Sequence, residues 1–448
     1  MHTKHHLDKG KQANFIIWLA VLVLITLGFS LFESRSSSGV EAGKTARAGS
    51  PERAQSAFDF VNSVGANTHL NYFDRTYGNF AMVEKELCSI GIRHLRDGVH
   101  LQNADYNETL YSRWSRLGKC GIRFDAVLDP RNNLGPITTE LLKHVDELSG
   151  RTIESFEGPN EMDISGVSDW ATTVYNFQKT LHNAASSLEK SEQISILAPS
   201  LAFASHGNEF AGTVIDADRG NLHPYPAGKM PSVIFPEQTD LGRDIFGGKK
   251  IVFTESGYHN ALSDHHDQAP ISEAAAAKYI PRLFLEDFAR GIPRTYLYEF
   301  LDEAADPGLS DNQLHWGLVR ANGTEKPAFA SIKRLIAEVG DTAEPAHLSQ
   351  FRWSLDTMAE TTHHLLLQKS GGEFDLILWR EVSSFDISSQ SDIDNPPAAT
   401  VLTLGRVAKQ IRLYEPVVQS DPIKTYTNTA SVPILIPDHP LVIAITLD

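Results

Sequence analysis

Two carboxylates stand in unusual local sequences. Glu161 lies in PheGluGlyProAsnGluMetAsp, residues 156–163, and Glu255 in IleValPheThrGluSerGlyTyrHis, residues 251–259. Each closes a short apolar run that reads as a strand. Two carboxyls about 5–5.5 Å apart suit one reaction well. One attacks an anomeric carbon while the other protonates the departing oxygen, and configuration is retained. A third apolar run, GlyIleArgHisLeuArgAsp at 91–97, carries Arg96 near its end. A guanidinium beside one carboxyl favours its ionised form. Burial and a neighbouring carboxylate are expected to raise the pKa of the other. The bland alternative is that each Glu merely caps the helix that follows. Arg96 could likewise pair with Asp97 or Asp129 alone. The AspHisHisAsp run at 264–267 lacks HExxH spacing and reads as a solvated loop, so neither a metal nor a cofactor is expected.

Side chains of this kind need a scaffold that brings distant strand ends together. From about Phe58, short apolar runs alternate with helical periodicity, the pattern of βα units. Strands are expected at Ser63–Leu70, Gly91–Asp97, Gly121–Asp129, Ile153–Glu161, Ile194–Leu201, Asn221–Tyr225, Lys250–Glu255 and Arg294–Phe300. Phe80, Val83, Leu87 and Ile90 mark one intervening helix, Trp170, Val174, Phe177 and Leu181 another, and Pro327–Val339 closes the set. Eight units in about 280 residues predict a (β/α)8 barrel over 56–340. A doubly wound open sheet would call for a Gly-rich phosphate turn after an early strand, and the sequence has none.

After Gly340 the helical pattern stops. Strands are expected at Phe351–Leu355, His364–Lys369, Phe374–Val382, Thr400–Leu404, Gln410–Tyr414, Val432–Ile436 and Leu441–Leu447, so 341–448 reads as an all-β sandwich. Trp379 and Tyr414 read as its core rather than as a sugar platform. At the other end, residues 1–13 form a basic tail. Residues 14–32 contain the uncharged apolar run Phe15–Phe32, and residues 33–55 have the composition of a flexible linker. The run is long enough to span a bilayer, and the preceding lysines put the rest of the chain outside the cytoplasm. An uncleaved membrane anchor is favoured over a cleaved signal peptide, which would leave a secreted protein.

The chain has 448 residues, 41% of them hydrophobic and 21% charged, which is globular composition. A formal net charge of −16 opposes binding to a phosphate backbone, so nucleic acid is not an expected partner. Cys88 and Cys120 each precede a predicted strand. A disulfide and two buried thiols are both compatible with that placement.

AsnGlu closing the fourth strand, a lone Glu closing the seventh and Arg closing the second resemble glycoside hydrolase clan A. The added β-domain is nearest to family 39 and its relatives. The resemblance covers about Phe58 to Gly340. It implies that Glu161 is the acid/base, Glu255 the nucleophile and Asn160 a partner of the sugar 2-hydroxyl. It further implies that Arg96 keeps the nucleophile ionised, that Tyr225 and His223 of AsnLeuHisProTyr stand near it, and that Trp316 is an aromatic platform. Asn67 and His69, closing the first strand, are either sugar contacts or a satisfied core pair. Glu299 and Asp302 either bind hydroxyls or make ion pairs.

The expectation is a retaining glycosidase acting on a poly- or oligosaccharide outside the cytoplasmic membrane. Two alternatives accompany it. One is a catalytically silent carbohydrate-binding or envelope-assembly protein. The other is a transglycosylase that uses the same residues.

Overall fold

The computed structural model describes residues 49–188, 194–210, 215–233, 242, 244–264 and 268–447. The basic tail, the apolar run 14–32 and most of the linker lie outside the described residues, as do His265, His266 and Asp267. Among the described residues no helix is long and apolar enough to cross a membrane.

Eight parallel strands form the first layer: β3 (Val64–Asn67), β4 (His94–Gly98), β5 (Arg123–Val127), β6 (Ile153–Glu157), β7 (Ser195–Leu197), β8 (Gly220–Leu222), β9 (Ile251–Ser256) and β10 (Thr295–Leu297). They are hydrogen-bonded in the order β7-β6-β5-β4-β3-β10-β9-β8. The ring closes where Leu197 pairs with Arg219, with Ala198 N–H donating to Arg219 O at 3.0 Å. Every one of the eight predicted strands is present, so the parallel barrel is established.

Helices wrap the outside where apolar residues recur at helical spacing. Those at Ala104–Gly118, Thr139–Leu148 and Glu273–Ala289 start at the side-chain caps Asn103, Thr138 and Ser272, each accepting the N–H of the third residue of its helix. Trp114 of the first stacks on Phe124 of β5 with ring centroids 4.2 Å apart. After β7 the described residues show only the 3-10 turn Ala204–Phe210, and after β8 the 3-10 turn Pro231–Val233 and a short helical stretch at 242 and 244–246. These are the two units in which the sequence shows no helical periodicity. Cys88, in the helix Phe80–Ile90, and Cys120 are disulfide-bonded with Cα atoms 5.6 Å apart.

The C-terminal domain is a mainly antiparallel sheet: β11 (Gln350–Leu355), β12 (Thr362–Gln368), β13 (Phe374–Arg380), β16 (Ala398–Tyr414), β17 (Lys424–Ile436) and β18 (Leu441–Thr446), with a small hairpin of β14 (Phe385–Asp386) and β15 (Ser391–Asp392) beside it. Two expectations need correcting. Residues 400–404 and 410–414 belong to one strand, whose register with β17 shifts between Thr403 and Ala408. The linker also ends earlier than 55. Pro51–Arg53 (β1) and Gln55–Ser56 (β2) are strands of this same sheet.

The sheet runs β1-β11-β16-β18-β13-β12-β2, with β17 on β16. Its two ends, β1 and β2, are separated in the chain by Ala54 alone, so the sheet must curl until its edges meet. The expected sandwich is thus one continuous sheet folded around its own core. Alternate residues sort to two cores. Leu366, Leu376, Leu378 and Ile443 face the domain's own interior. Leu365, Ile377, Trp379, Tyr414 and Val442 join the core of the barrel. Burial on both faces explains the near-continuous apolar runs of β13 and β18. Arg282, fully buried, crosses the junction to Glu381, with Nε to Oε2 at 2.8 Å.

Candidate active site

The C-terminal ends of the barrel strands place the predicted residues around one centre. Arg96 of β4 is 5% exposed and uses all five of its N–H donors. Nε and Nη2 clasp Glu157 at 2.8 and 2.7 Å. Nη1 donates to Asn67 at 2.9 Å and to Glu255 Oε1 at 2.6 Å, and Nη2 also donates to Asn160 Oδ1 at 2.6 Å. Neither Asp97 nor Asp129 takes these bonds. Burial would lower the pKa of Arg96, but the charges of Glu157 and Glu255 outweigh it and hold the guanidinium well above its usual range. Burial would raise Glu157, and Arg96 reverses that, leaving its carboxyl below the ordinary value.

Glu255 ends β9. Its other oxygen, Oε2, accepts from the Tyr225 hydroxyl at 2.7 Å. Gly257 follows closely. A Cβ there would lie 2.4 Å from the Tyr298 carbonyl, so glycine lets the ends of β9 and β10 approach.

Glu161 follows β6 with φ of 45° and ψ of 46°, a left-handed conformation costly for a residue with a side chain. Ser200 O accepts its N–H at 3.1 Å. Its Oε1 accepts from His223 Nδ1 at 2.7 Å, and the same nitrogen lies 3.6 Å from Glu255 Oε2. His223 Nε2 contacts Thr254 Oγ1 at 3.0 Å. One carboxylate oxygen of Glu161, one of Glu255 and a nitrogen of His223 all lie within 4.8 Å of one another.

This arrangement reverses the expected pKa of Glu161. Burial does push it up, but the hydrogen bond and charge of His223 win, and the carboxyl sits below its usual value. For His223 burial acts downward. The charge of Glu255 and the bond to Glu161 overcome that and raise it above 6.5.

The remaining predicted residues divide into wall and support. Asn67 is 2% exposed. It braces the barrel by donating to Thr254 O at 2.9 Å while receiving Arg96, the satisfied-core alternative. His69 reaches the surface of the site, stacked on Tyr72 at 4.7 Å and 3.4 Å from the Tyr298 hydroxyl. Burial drops its pKa to about 4, so the imidazole is neutral near pH 7. Glu299 is fully buried behind it and accepts from the Tyr77 hydroxyl at 3.0 Å, so it does not line the surface as a hydroxyl-binding residue must. Burial and the charge of Glu303 push its carboxyl well above the usual carboxylate range. Asp302 is the ion-pair partner of Lys326, at 2.8 Å. Trp316 packs edge-on to Tyr225 and Tyr298 at 5.2 and 5.8 Å and is 5% exposed, so little of its face is presented as a platform.

Among the described residues three triads have ligating atoms close enough for a metal ion; Glu286, His363 and Glu381 form one away from this site, and two lie within it, Glu161, His223 and Glu255, and His69, Glu299 and Glu303. Both donor sets are already engaged. His223 gives its Nδ1 proton to Glu161, Arg96 and Tyr225 occupy Glu255, and Arg75 binds Glu303.

Sequence reasoning overlooked Glu157, Thr254, Ser200 and the Asp129–Arg131 pair. Asp129 accepts the Asn160 N–H at 3.1 Å and Arg131 Nε at 2.7 Å, fixing the loop before Glu161. An acid inside the apolar strand 153–157 was the one readable signal, because such a group demands a buried cation.

No protein-family profile matches the chain, and no curated protein matches it by sequence. Solved structures do match. A GH39 enzyme from Xanthomonas axonopodis pv. citri superposes with a TM-score of 0.56 at 12% identity, over 88% of this chain and 96% of that one. A monomeric beta-xylosidase from Caulobacter crescentus gives 0.56 at 13% identity, over 88% and 98%. A glucosidase from Croceicoccus marinus gives 0.55 at 9% identity, over 82% and 92%. The fold is that of family 39 and related clan A glycosidases, a (β/α)8 barrel with a C-terminal sheet domain.

Proposed function

We propose that the protein is a retaining glycoside hydrolase. The observation that carries this reading is the carboxylate pair, with oxygens of Glu161 and Glu255 within 4.8 Å and Arg96 and Tyr225 bonded to Glu255. That spacing suits direct attack by a carboxylate. The gap of about 6.5–9.5 Å used by inverting enzymes admits a water instead.

In the first step Glu255 attacks the anomeric carbon, the bond to the leaving oxygen breaks, and Glu161 delivers a proton to that oxygen. His223 manages this proton. Burial acts against a protonated His223, but the charges of Glu255 and Glu161 outweigh it and raise its pKa. Ester formation removes the charge of Glu255. As the bond from Glu255 to the sugar forms, a proton passes from the protonated His223 to Glu161 and from Glu161 to the leaving oxygen, and the proton that Glu161 later takes from water returns to His223. In the second step water attacks the ester, Glu161 takes the water's proton, and Glu255 is released as carboxylate. Asn160 Oδ1 is taken by Arg96 and by Ser200 Oγ at 3.1 Å, so its NH2 is the group left to donate to a sugar hydroxyl.

We place the reaction outside the cytoplasm. The Cys88–Cys120 disulfide supports an oxidising compartment. Protease shaving of intact cells tests this, because a barrel protected until lysis contradicts it. The function is tested by assaying aryl β-glycosides and a polysaccharide panel beside Glu255→Gln, with the first-formed anomer read by NMR. Inverted product overturns the mechanism. Tight glycan binding without turnover supports a silent binding protein instead.

A further inference from the structure

An open groove of about 510 Å³ begins at Asp129, one hydrogen bond from Asn160 and therefore adjacent to Glu161. One wall is the helix Trp170–Ala185, which contributes Thr173, Asn176 and Phe177. These positions lie at i, i+3 and i+4 and so share one face. The other wall is the loop after β5, with Asn133 and Leu134. In a chain of net charge −16, this lining contains one charged group, Asp129, and Arg131 already engages it.

Neutral amides and hydroxyls around a phenyl ring and a leucine are matched by an uncharged, hydroxyl-rich ligand with apolar faces. An anion finds no unengaged cation in the lining, and a cation finds its one carboxylate occupied. The volume falls within the range of about 300–1,000 Å³ typical of small-molecule sites. The groove adjoins the loop of Glu161, the residue that protonates the departing oxygen. Whatever fills it beside the reacting bond belongs to the leaving group.

We propose that this groove binds the leaving-group side of a neutral oligosaccharide, so the enzyme takes a chain extending beyond the scissile bond. The proposal rests on the glycosidase reading of the carboxylate pair. It predicts that affinity grows with added sugar units on that side.

Asn133 and Asn176 are both exposed, and Asn133 has φ of 52°, so Asn133→Gly and Asn176→Ala suit the local backbone. The full chain carrying Glu255→Gln is titrated calorimetrically with xylohexaose, cellohexaose, laminarihexaose and mannohexaose, and with the p-nitrophenyl β-glycoside of each sugar. We expect one hexaose to bind more tightly than its aryl glycoside. The added double substitution should weaken that hexaose by about tenfold, or 1.4 kcal/mol, and leave the aryl glycoside within about twofold. A groove-filling Asn176→Trp should act the same way. Unchanged hexaose affinity in both variants overturns the groove, as does the lack of any preference for a hexaose. Wild-type turnover is measured in parallel. Hexaose binding that depends on the groove, without turnover of any glycan, overturns the glycosidase reading and leaves the groove as a saccharide site.

Discussion

His223 Nδ1 lies 2.7 Å from Glu161 Oε1 and holds that carboxyl below its ordinary pKa. Replacing His223 by Leu removes both the charge and the hydrogen bond. Burial and the charge of Asp163 are then opposed by Arg96 alone, and the Glu161 midpoint should rise. Carbon-13 titration of the Glu161 carboxyl measures this directly. An unmoved midpoint contradicts the assignment. The stability that His223 draws from the pair is present in full below pH 6.5 and is lost as pH rises through its elevated pKa.

Glu255→Gln should reduce kcat by roughly 10⁴-fold or more, as expected for loss of a nucleophile. Glu255→Ala should not be rescued by azide with retention, because azide then attacks the sugar from the nucleophile's side. A contaminant-free variant that turns over at the wild-type rate refutes the role.

Glu161→Ala should slow substrates with poor leaving groups by about 10²–10⁴-fold. Activated aryl glycosides need no protonation and should still form the covalent intermediate at a near-normal rate. A plot of rate against leaving-group pKa separates the two. Equal slowing of every substrate tells against a proton-donating role.

Arg96→Met leaves Glu157 and Glu255 without their cation. Breaking a buried pair in this way costs about 3–5 kcal/mol. Glu157 has a lowered pKa, so its stabilisation is present above pH 4.5 and fades as pH falls through the lowered value. The gap between variant and wild type in urea midpoint should therefore narrow in acid. A gap independent of pH would show that Arg96 acts through packing alone.

Cys88 and Cys120 are 32 residues apart. Cross-linking a loop of that size stabilises by about 3–4 kcal/mol in the chain-entropy model. A Cys88→Ser, Cys120→Ser protein should melt lower than wild type, and a reductant should lower only the wild type. Identical melting curves with and without reductant would show the bond is not formed.

Residues that end strands were legible in the sequence. Glu161, Glu255, Arg96 and Tyr225 each stand where an apolar run stops, and a closed barrel gathers such ends at one mouth. What lay hidden depends on pairing across long separations. His223 is 62 residues from Glu161 in the chain, and no periodicity records that they share a proton. Glu299 follows a strand's end too, yet it is fully buried against Tyr77, a partner 222 residues away in the chain. The curled sheet was unreadable for the same reason. Gln55 finds Leu367 as partner, and two residues of strand carry too little pattern to announce it.

That partnership has a consequence for how the protein is made. Pro51–Ser56 leaves the ribosome about 300 residues before the strands it joins, taking the separation of Glu52 from Phe351. The first described segment must stay uncommitted through synthesis of the whole barrel. The last domain finishes only when Pro51–Ser56 meets the strands Gln350–Leu355 and Thr362–Gln368. The barrel therefore cannot be cut out at residue 56 without opening both edges of the other domain to intermolecular pairing. A C-terminal domain expressed without Pro51–Ser56 should aggregate, and supplying that segment should restore its solubility.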